Sequence, residues 1–331
     1  MILVTGAAGF IGSCLIGVLN AQGIKEIIIV DDFRNLQKQK NLIGKDYLYK
    51  INRAHLFDWL AINGRNVNLI FHLGARTDTT EKSFSIFQRL NLSYSKKIWN
   101  FCCTRQIPLI YASSAATYGL GEYGFDDNHH ILPQLKPLNP YGISKNDFDK
   151  WGLECSQQPP FWVGLKFFNV YGPNEYHKER MASVICHTFR QIRLSNGMKL
   201  FRSHNPKFKD GEQRRDFIYV KDIVKVLLFF SNAFQQSDSS SDIKPSNGLY
   251  NVGTGRARTF LDLANITFAS LKINPNISFI DTPLDIRSNY QYFTEANINK
   301  LREAGYKEVF YTLEEGIQDY VGQYLKNETY F

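Results

Sequence analysis

Tyr141 and Lys145 stand four residues apart, directly after Pro140, in the stretch Pro140-Tyr141-Gly142-Ile143-Ser144-Lys145. On a helix that spacing puts both side chains on one face. Proline suits the first turn, where its missing N–H costs nothing. A phenol beside an ammonium is a proton-transfer device, because the positive charge favours phenolate and lowers the tyrosine pKa. Two solvated helix residues would show the same spacing, so the meaning of the pair depends on what else the chain carries.

The first twelve residues supply a partner for that chemistry. Met1-Ile2-Leu3-Val4-Thr5 is a short apolar run of β type, followed by Gly6-Ala7-Ala8-Gly9-Phe10-Ile11-Gly12 and a helical pattern through Leu15, Val18 and Leu19. A second apolar run, Ile27-Ile28-Ile29-Val30, ends in Asp31-Asp32. This is a βαβ unit with glycines at its first turn and an acid at the end of its second strand, the pattern of a dinucleotide site. The glycines let backbone amides approach a pyrophosphate at a helix N-terminus. Asp31, with Asp32 beside it, would accept from an adenosine ribose, which points to NAD. Arg34 and Lys38 lie just beyond and could pair with a 2′-phosphate, which points to NADP. The residues leave both cofactors open.

The elements that must hold these groups read as a doubly wound α/β fold. Strands are expected at 2–5, 26–30, 69–72, 108–112 and 162–168, and helices at 10–22, 84–105 and 140–155. That alternation implies a Rossmann-type parallel sheet covered on both faces. A dinucleotide-binding domain is expected over 1–168, with segments near 216–253 returning to it, and a smaller mixed α/β substrate-binding domain over 169–331. The helical pattern at 222–234 and the run Tyr250-Asn251-Val252-Gly253 are the returning candidates. Gln235 to Gly248 is polar and Ser-rich and reads as a surface loop.

Composition narrows the classes. The formal net charge is +8, scattered along the chain, with no run of five or more like charges. That argues against a nucleic-acid tail and suits a protein that holds small polyanions. Cys14, Cys102, Cys103, Cys155 and Cys186 form no C-x-x-C pair and no zinc spacing, so free thiols and no metal are expected. The first strand begins at Met1, and apolar runs such as Val226–Phe230 are too short to span a bilayer. A cytoplasmic protein with no membrane partner is the expectation.

With the glycine turn, Tyr111-Ala112-Ser113-Ser114-Ala115-Ala116-Thr117-Tyr118-Gly119 and Tyr141-Gly142-Ile143-Ser144-Lys145 in order, the chain resembles the extended short-chain dehydrogenase/reductases. That family includes sugar-nucleotide epimerases and dehydratases. Phe168-Asn169-Val170-Tyr171-Gly172-Pro173 and Arg214-Arg215-Asp216-Phe217-Ile218-Tyr219-Val220 extend the likeness. His177-Lys178, Met181-Ala182-Ser183-Val184, Asn251-Val252-Gly253-Thr254-Gly255-Arg256-Ala257, Arg287-Ser288-Asn289-Tyr290-Gln291 and Phe293-Thr294 narrow it to the epimerases that act on ADP-heptose.

The resemblance implies an isomerase that inverts C6″ of ADP-D-glycero-β-D-manno-heptose by transient oxidation to an aldehyde and re-reduction with bound NADP. It further implies a homo-oligomer whose product serves the lipopolysaccharide inner core. By the same resemblance Ser114, Tyr141 and Lys145 are the catalytic trio, and Lys178 is a second acid–base group for the opposite face. Gly6, Gly9, Phe10, Ile11, Gly12, Asp31, Asp32, Lys38, Leu73, Gly74, Ala75, Asn91, Lys145, Val170 and Lys178 border the cofactor. Ser114, Asn169, Arg180, His187, Phe201, Arg215 and Tyr290 match substrate-contact positions. Arg180 departs from the small polar residue expected there, and 202–213 is longer than usual, so the substrate mouth differs. Dehydratases of the family carry Asp and Glu after the hydroxyl residue; Ala115-Ala116 here cannot transfer protons, which disfavours dehydration. A UDP-hexose 4-epimerase, or a non-catalytic dinucleotide-sensing protein on the same fold, is the alternative.

Overall fold

The computed structural model describes residues 1–235, 245–287 and 290–331. Residues 236–244 of the expected Ser-rich loop, and Ser288 and Asn289, lie outside the described residues. In chain order the described strands are β1 (Ile2–Thr5), β2 (Ile27–Asp31), β3 (Tyr49–Asn52), β4 (Leu69–His72), β5 (Leu109–Ser114) and β6 (Trp162–Phe167). They continue with β7 (Asn169–Tyr171), β8 (Met198–Phe201), β9 (Arg214–Tyr219), β10 (Gly248–Val252), β11 (Ala257–Thr259) and β12 (Ile277–Ile280). The helices used below are α1 (Phe10–Ala21), α2 (Tyr94–Arg105), α3 (Pro140–Glu154) and α4 (Val220–Gln235).

Seven strands form one parallel sheet in the order β10-β6-β5-β4-β1-β2-β3. Its central strands are near-continuous apolar runs, as a sheet covered on both faces requires; all five residues of β2 are buried. The chain lays β2 and β3 to one side of β1, then crosses to β4, β5 and β6 on the other. The topological switch therefore falls between β1 and β4, the place where doubly wound sheets bind their ligands. β10 adds a seventh strand beside β6, and α4 packs against α1. The late segment thus joins the first sheet, because its apolar faces match the open edge there.

The expected helix over 84–105 is interrupted: Phe84–Phe87 is α-helical, Gln88–Ser93 is a π-helical turn, and α2 follows. The bulge carries Asn91. β3 was not expected. Its sequence, Tyr-Lys-Ile-Asn, is partly exposed on the sheet edge and lacks a buried run. The remaining strands make a three-stranded sheet, β11-β9-β7, and a pair, β12-β8. No helix among the described residues is long and apolar enough to cross a membrane.

Candidate active site

The two glycine loops at the switch point touch. Gly6 leaves β1 at φ +67°, and a Cβ there would lie 2.7 Å from the Gly74 backbone. Gly74 in turn follows β4, and its amide donates to the Thr5 hydroxyl at 3.1 Å. The loop carrying Leu73 and Ala75 is held by Asn91, whose side-chain oxygen accepts from the Arg76 amide at 2.8 Å and whose amide donates to Ser144 Oγ at 3.0 Å. Asn91 thus ties the switch-point loop to α3. α1 begins at Gly9 with no side-chain cap, so its first amides are left for an anion. Phe10 and Ile11 open that helix and Gly12 lies in its first turn. Glycine is required in this turn, because a Cβ at Gly9 would lie 2.9 Å from the Gly6 carbonyl oxygen.

At the end of β2 the two acids separate in role. Asp31 is buried and accepts from the Ala8 amide at 2.9 Å, the Asp32 amide at 2.7 Å and the Lys38 ammonium. Its carboxylate staples the glycine turn to the end of β2. Asp32 faces outward between Arg34 at 2.6 Å and Arg53 at 3.0 Å. The Arg34 hydrogen bond holds its carboxyl well below the usual range. A cavity of about 590 Å³ opens beside it, lined by Arg34, Arg53, Arg89, Lys97, Phe57 and Tyr94. Arg53, Arg89 and Lys97 were missed by the sequence reading. A cation just after β3 was the available signal, and β3 itself was not recognised.

α3 is started by Asn139, which accepts from the Gly142 amide at 2.8 Å, and by Pro140 at its first turn. Gly142 lets this end approach the turn after β5: a Cβ there would lie 2.7 Å from the Ala116 carbonyl. That contact sets Tyr141 beside Ser114. The Ser114 hydroxyl accepts from the Ala116 amide at 3.1 Å. Burial raises the Tyr141 pKa, and the hydrogen bond from the Ser114 side opposes the rise. The sequence reading had Lys145 lower it. Lys145 instead donates to the Ala112 carbonyl at 2.7 Å, and burial pulls its own pKa down to about 8. Ser113 donates to the buried Asp149 carboxylate at 2.6 Å.

The segment 176–181 brings Lys178 to the glycine turn, with its ammonium 5.2 Å from the Phe10 ring centroid. Its neighbour Glu179 sits at φ 48°, ψ −119°. Strain of that kind is held only where the surroundings enforce it, and it reverses the chain between Lys178 and Arg180. His177 bonds the Asn41 amide at 3.2 Å. Arg180 pairs with Asp78 at 3.2 Å and bonds Thr80, bridging to the loop after β4. His187 reaches the Arg180 carbonyl at 3.3 Å.

The second cluster comes from the smaller sheets. Arg215 is buried between the Phe260 and Tyr290 rings, 5.6 Å from each centroid. Burial lowers its pKa, and its guanidinium donates to the Arg214 carbonyl at 2.8 Å and to the Gln291 carbonyl. Arg215 makes no salt bridge to its neighbour Asp216. Neighbours on a strand point to opposite faces, and Asp216 accepts instead from Thr254 at 2.7 Å, Gly255 at 2.9 Å and Ala296 at 3.0 Å. Phe201, at the end of β8, lies 6.2 Å from the Tyr290 ring. Asn169 and Val170 lie on β7, where the Asn169 side chain accepts from Thr294 at 3.4 Å. The structure thus holds one cluster at the glycine loops and the start of α3, and a second, aromatic-and-arginine cluster from β8, β9 and residue 290.

Comparison with known proteins shows the family. Residues 2–253 match the NAD dependent epimerase/dehydratase family. The chain is 46% identical to an ADP-L-glycero-D-manno-heptose-6-epimerase of Fusobacterium nucleatum, over 99% of each chain. It is 43% identical to the enzyme of that name from Nitratidesulfovibrio vulgaris, over 98% of each. Among solved structures it is similar to the Helicobacter pylori ADP-L-glycero-D-manno-heptose-6-epimerase, with a TM-score of 0.78 and 27% identity, covering 97% of this chain and 95% of that one. A UDP-galactose 4-epimerase shares the fold, with a TM-score of 0.70 and 19% identity. From the glycine turn through β10, then, this chain belongs to the NAD dependent epimerase/dehydratase family.

Proposed function

We propose that the chain inverts C6″ of ADP-D-glycero-β-D-manno-heptose by oxidising that carbon and reducing it back on its other face. C6″ lies inside the sugar's carbon chain, so the carbonyl is a ketone and not the aldehyde expected from the resemblance. The observation that carries this reading is the meeting of Tyr141 and Ser114 at the α3 N-terminus, beside the glycine loops, in a chain similar over its whole length to enzymes named for that reaction. A bound nicotinamide dinucleotide supplies a reversible hydride acceptor. The chain's own residues supply the rest.

Tyr141 takes the proton of the substrate hydroxyl of one epimer as its C–H bond breaks; a positioned acid–base group contributes about 10²–10⁴-fold. Ser114 fixes the same oxygen. Lys145, anchored at Ala112, orients the trio. Lys178 serves the opposite face, from a segment held by Asn41 and the strained Glu179. Arg215 receives the diphosphate: its planar guanidinium is held between two rings and by the Arg214 and Gln291 carbonyls, and it keeps N–H groups for a charge-assisted bond. Phe201, Tyr290, Asn169, His187 and Arg180 complete the sugar-nucleotide side.

NADP is the cofactor we favour. The Asp31 carboxylate is taken up by Ala8, Asp32 and Lys38, which removes the group that would favour a free ribose. Arg34, Arg53, Arg89 and Lys97 around one cavity suit an added phosphate. The same reading has the enzyme working in the cytoplasm as a homo-oligomer that supplies lipopolysaccharide inner-core heptose, as the resemblance implies.

Incubation of the purified protein with ADP-heptose and, separately, with UDP-glucose tests the substrate. Epimerisation of the ADP sugar is expected. Turnover of the UDP sugar alone would retire the proposal, and turnover of neither would favour a sensor. Mass spectrometry of the dinucleotide that co-purifies tests the cofactor: the 2′-phosphorylated species is expected.

A further inference from the structure

Beneath the Ser114 turn lies a buried ion pair that the chemistry above leaves unused. Asp149 and Lys166 are both fully buried, with their charged atoms 2.9 Å apart. Asp149 follows Tyr141 and Lys145 by the same four-residue step on α3, so the three share one helix face. Its carboxylate also accepts from the Tyr111 hydroxyl at 3.0 Å and the Ser113 hydroxyl at 2.6 Å. Tyr111 and Ser113 are two apart on β5 and point to the same face. Lys166 stands in register with Ser113 on β6.

The pair reaches the reacting end of the strand. The Lys166 ammonium also donates to the Thr117 hydroxyl at 2.7 Å, and that hydroxyl donates to the Ser114 carbonyl at 2.9 Å. One unbroken set of bonds therefore runs from α3 through β6 to the backbone of Ser114. Stability is a poor account of it. Desolvation offsets the attraction of a buried ion pair, and apolar residues of similar volume often serve a fold as well or better. A fully bonded polar network does fix geometry.

We propose that Asp149 and Lys166 are positioning residues, which lock the Ser113–Thr117 turn to the helix face carrying Tyr141 and Lys145. The proposal rests on the proton-transfer roles given above to Ser114, Tyr141 and Lys145. Lys145 is faced by Tyr141 and Asp149 from its own helix, by the Ala112 carbonyl from β5, and by His72 from β4. Burial and Lys145 itself depress His72 to about 3, so it is neutral at working pH. Asp149 is then the carboxylate that offsets burial at Lys145. Removing its charge lets Lys145 lose its proton at lower pH.

The test compares Asp149→Asn, Ser113→Ala and Thr117→Val with wild type, and with Tyr141→Phe as control. The readouts are kcat and KM per dinucleotide-loaded protein, the pH profile of kcat, and the melting temperature. Asp149→Asn is expected to lower kcat by about tenfold or more, as loss of an orienting partner does, with KM little changed. Its alkaline limb is expected at lower pH than wild type. Ser113→Ala and Thr117→Val leave both charges in place; they are expected to lower kcat while keeping the wild-type limb. These two decide the matter if Asp149→Asn does not fold. Wild-type kcat in both, together with an unmoved limb in any folded Asp149→Asn, would overturn the positioning role. Wild-type turnover by Tyr141→Phe would instead overturn the proton-transfer reading itself.

Discussion

The Lys145 ammonium donates to the Ala112 carbonyl at 2.7 Å, two residues before Ser114 on the same strand. Its charge therefore anchors the helix to the strand end. Burial lowers its pKa from 10.5 to about 8, with Asp149 opposing. Activity that needs this ammonium is predicted to fall as pH rises through about 8. The effect on stability has the opposite sign. The folded pKa is depressed, so between about 8 and 10.5 the unfolded chain binds the extra proton, and Lys145 favours folding more as pH rises across that window. Parallel measurement of kcat and melting temperature from neutral to alkaline pH checks both. A fall in kcat that merely tracked unfolding would count against the role given to Lys145.

Tyr141→Phe removes one oxygen and keeps the ring that packs 6.5 Å from Phe87. The variant is predicted to fold and to carry its dinucleotide. Its kcat is predicted to drop by about 10²–10⁴-fold, the range of a positioned acid–base group. Steady-state kinetics beside the absorbance of bound dinucleotide separates the two effects.

Arg215→Lys keeps a cation but loses the planar fork between Phe260 and Tyr290. KM for the sugar nucleotide is predicted to rise about tenfold or more, in line with roughly 1.5–3 kcal/mol for a hydrogen bond to a charged group. kcat should change less, because the reacting carbon is elsewhere. Titration with ADP alone gives a second readout, since the loss should appear there too.

Arg53→Ala opens one wall of the cavity beside Asp32. Binding of NADP is predicted to weaken by about tenfold, one charge-assisted bond's worth, while binding of NAD changes little. Competition between the two dinucleotides for refolded, cofactor-free protein measures the ratio. Equal weakening of both would place Arg53 at a shared part of the cofactor.

Local pattern made much of this fold legible. Ile27–Val30 is a buried parallel strand by composition alone, and the Asn139-Pro140 start of α3 is written in the caps. The glycines mark the turn because no side chain fits against Gly74. What escaped were pairings across distance. Asp149 and Lys166 meet only because α3 packs on β5 and β6; the available hint was a lysine inside the otherwise apolar run Trp162–Phe167. The strand-end position of Asp31 was legible, but not the bonds that Ala8 and Lys38 make to it across the glycine turn. The Arg180–Asp78 bridge joins segments about a hundred residues apart and leaves no local trace.

The central claim is that a hydride leaves one carbon of the sugar and returns to it. Epimerisation of ADP-D-glycero-β-D-manno-heptose in deuterated water, followed by NMR at C6″, tests this directly. Inverted product whose C6″ still carries protium is the predicted result. Deuterium at C6″ would mean that the carbon loses a proton to solvent, and would contradict the account.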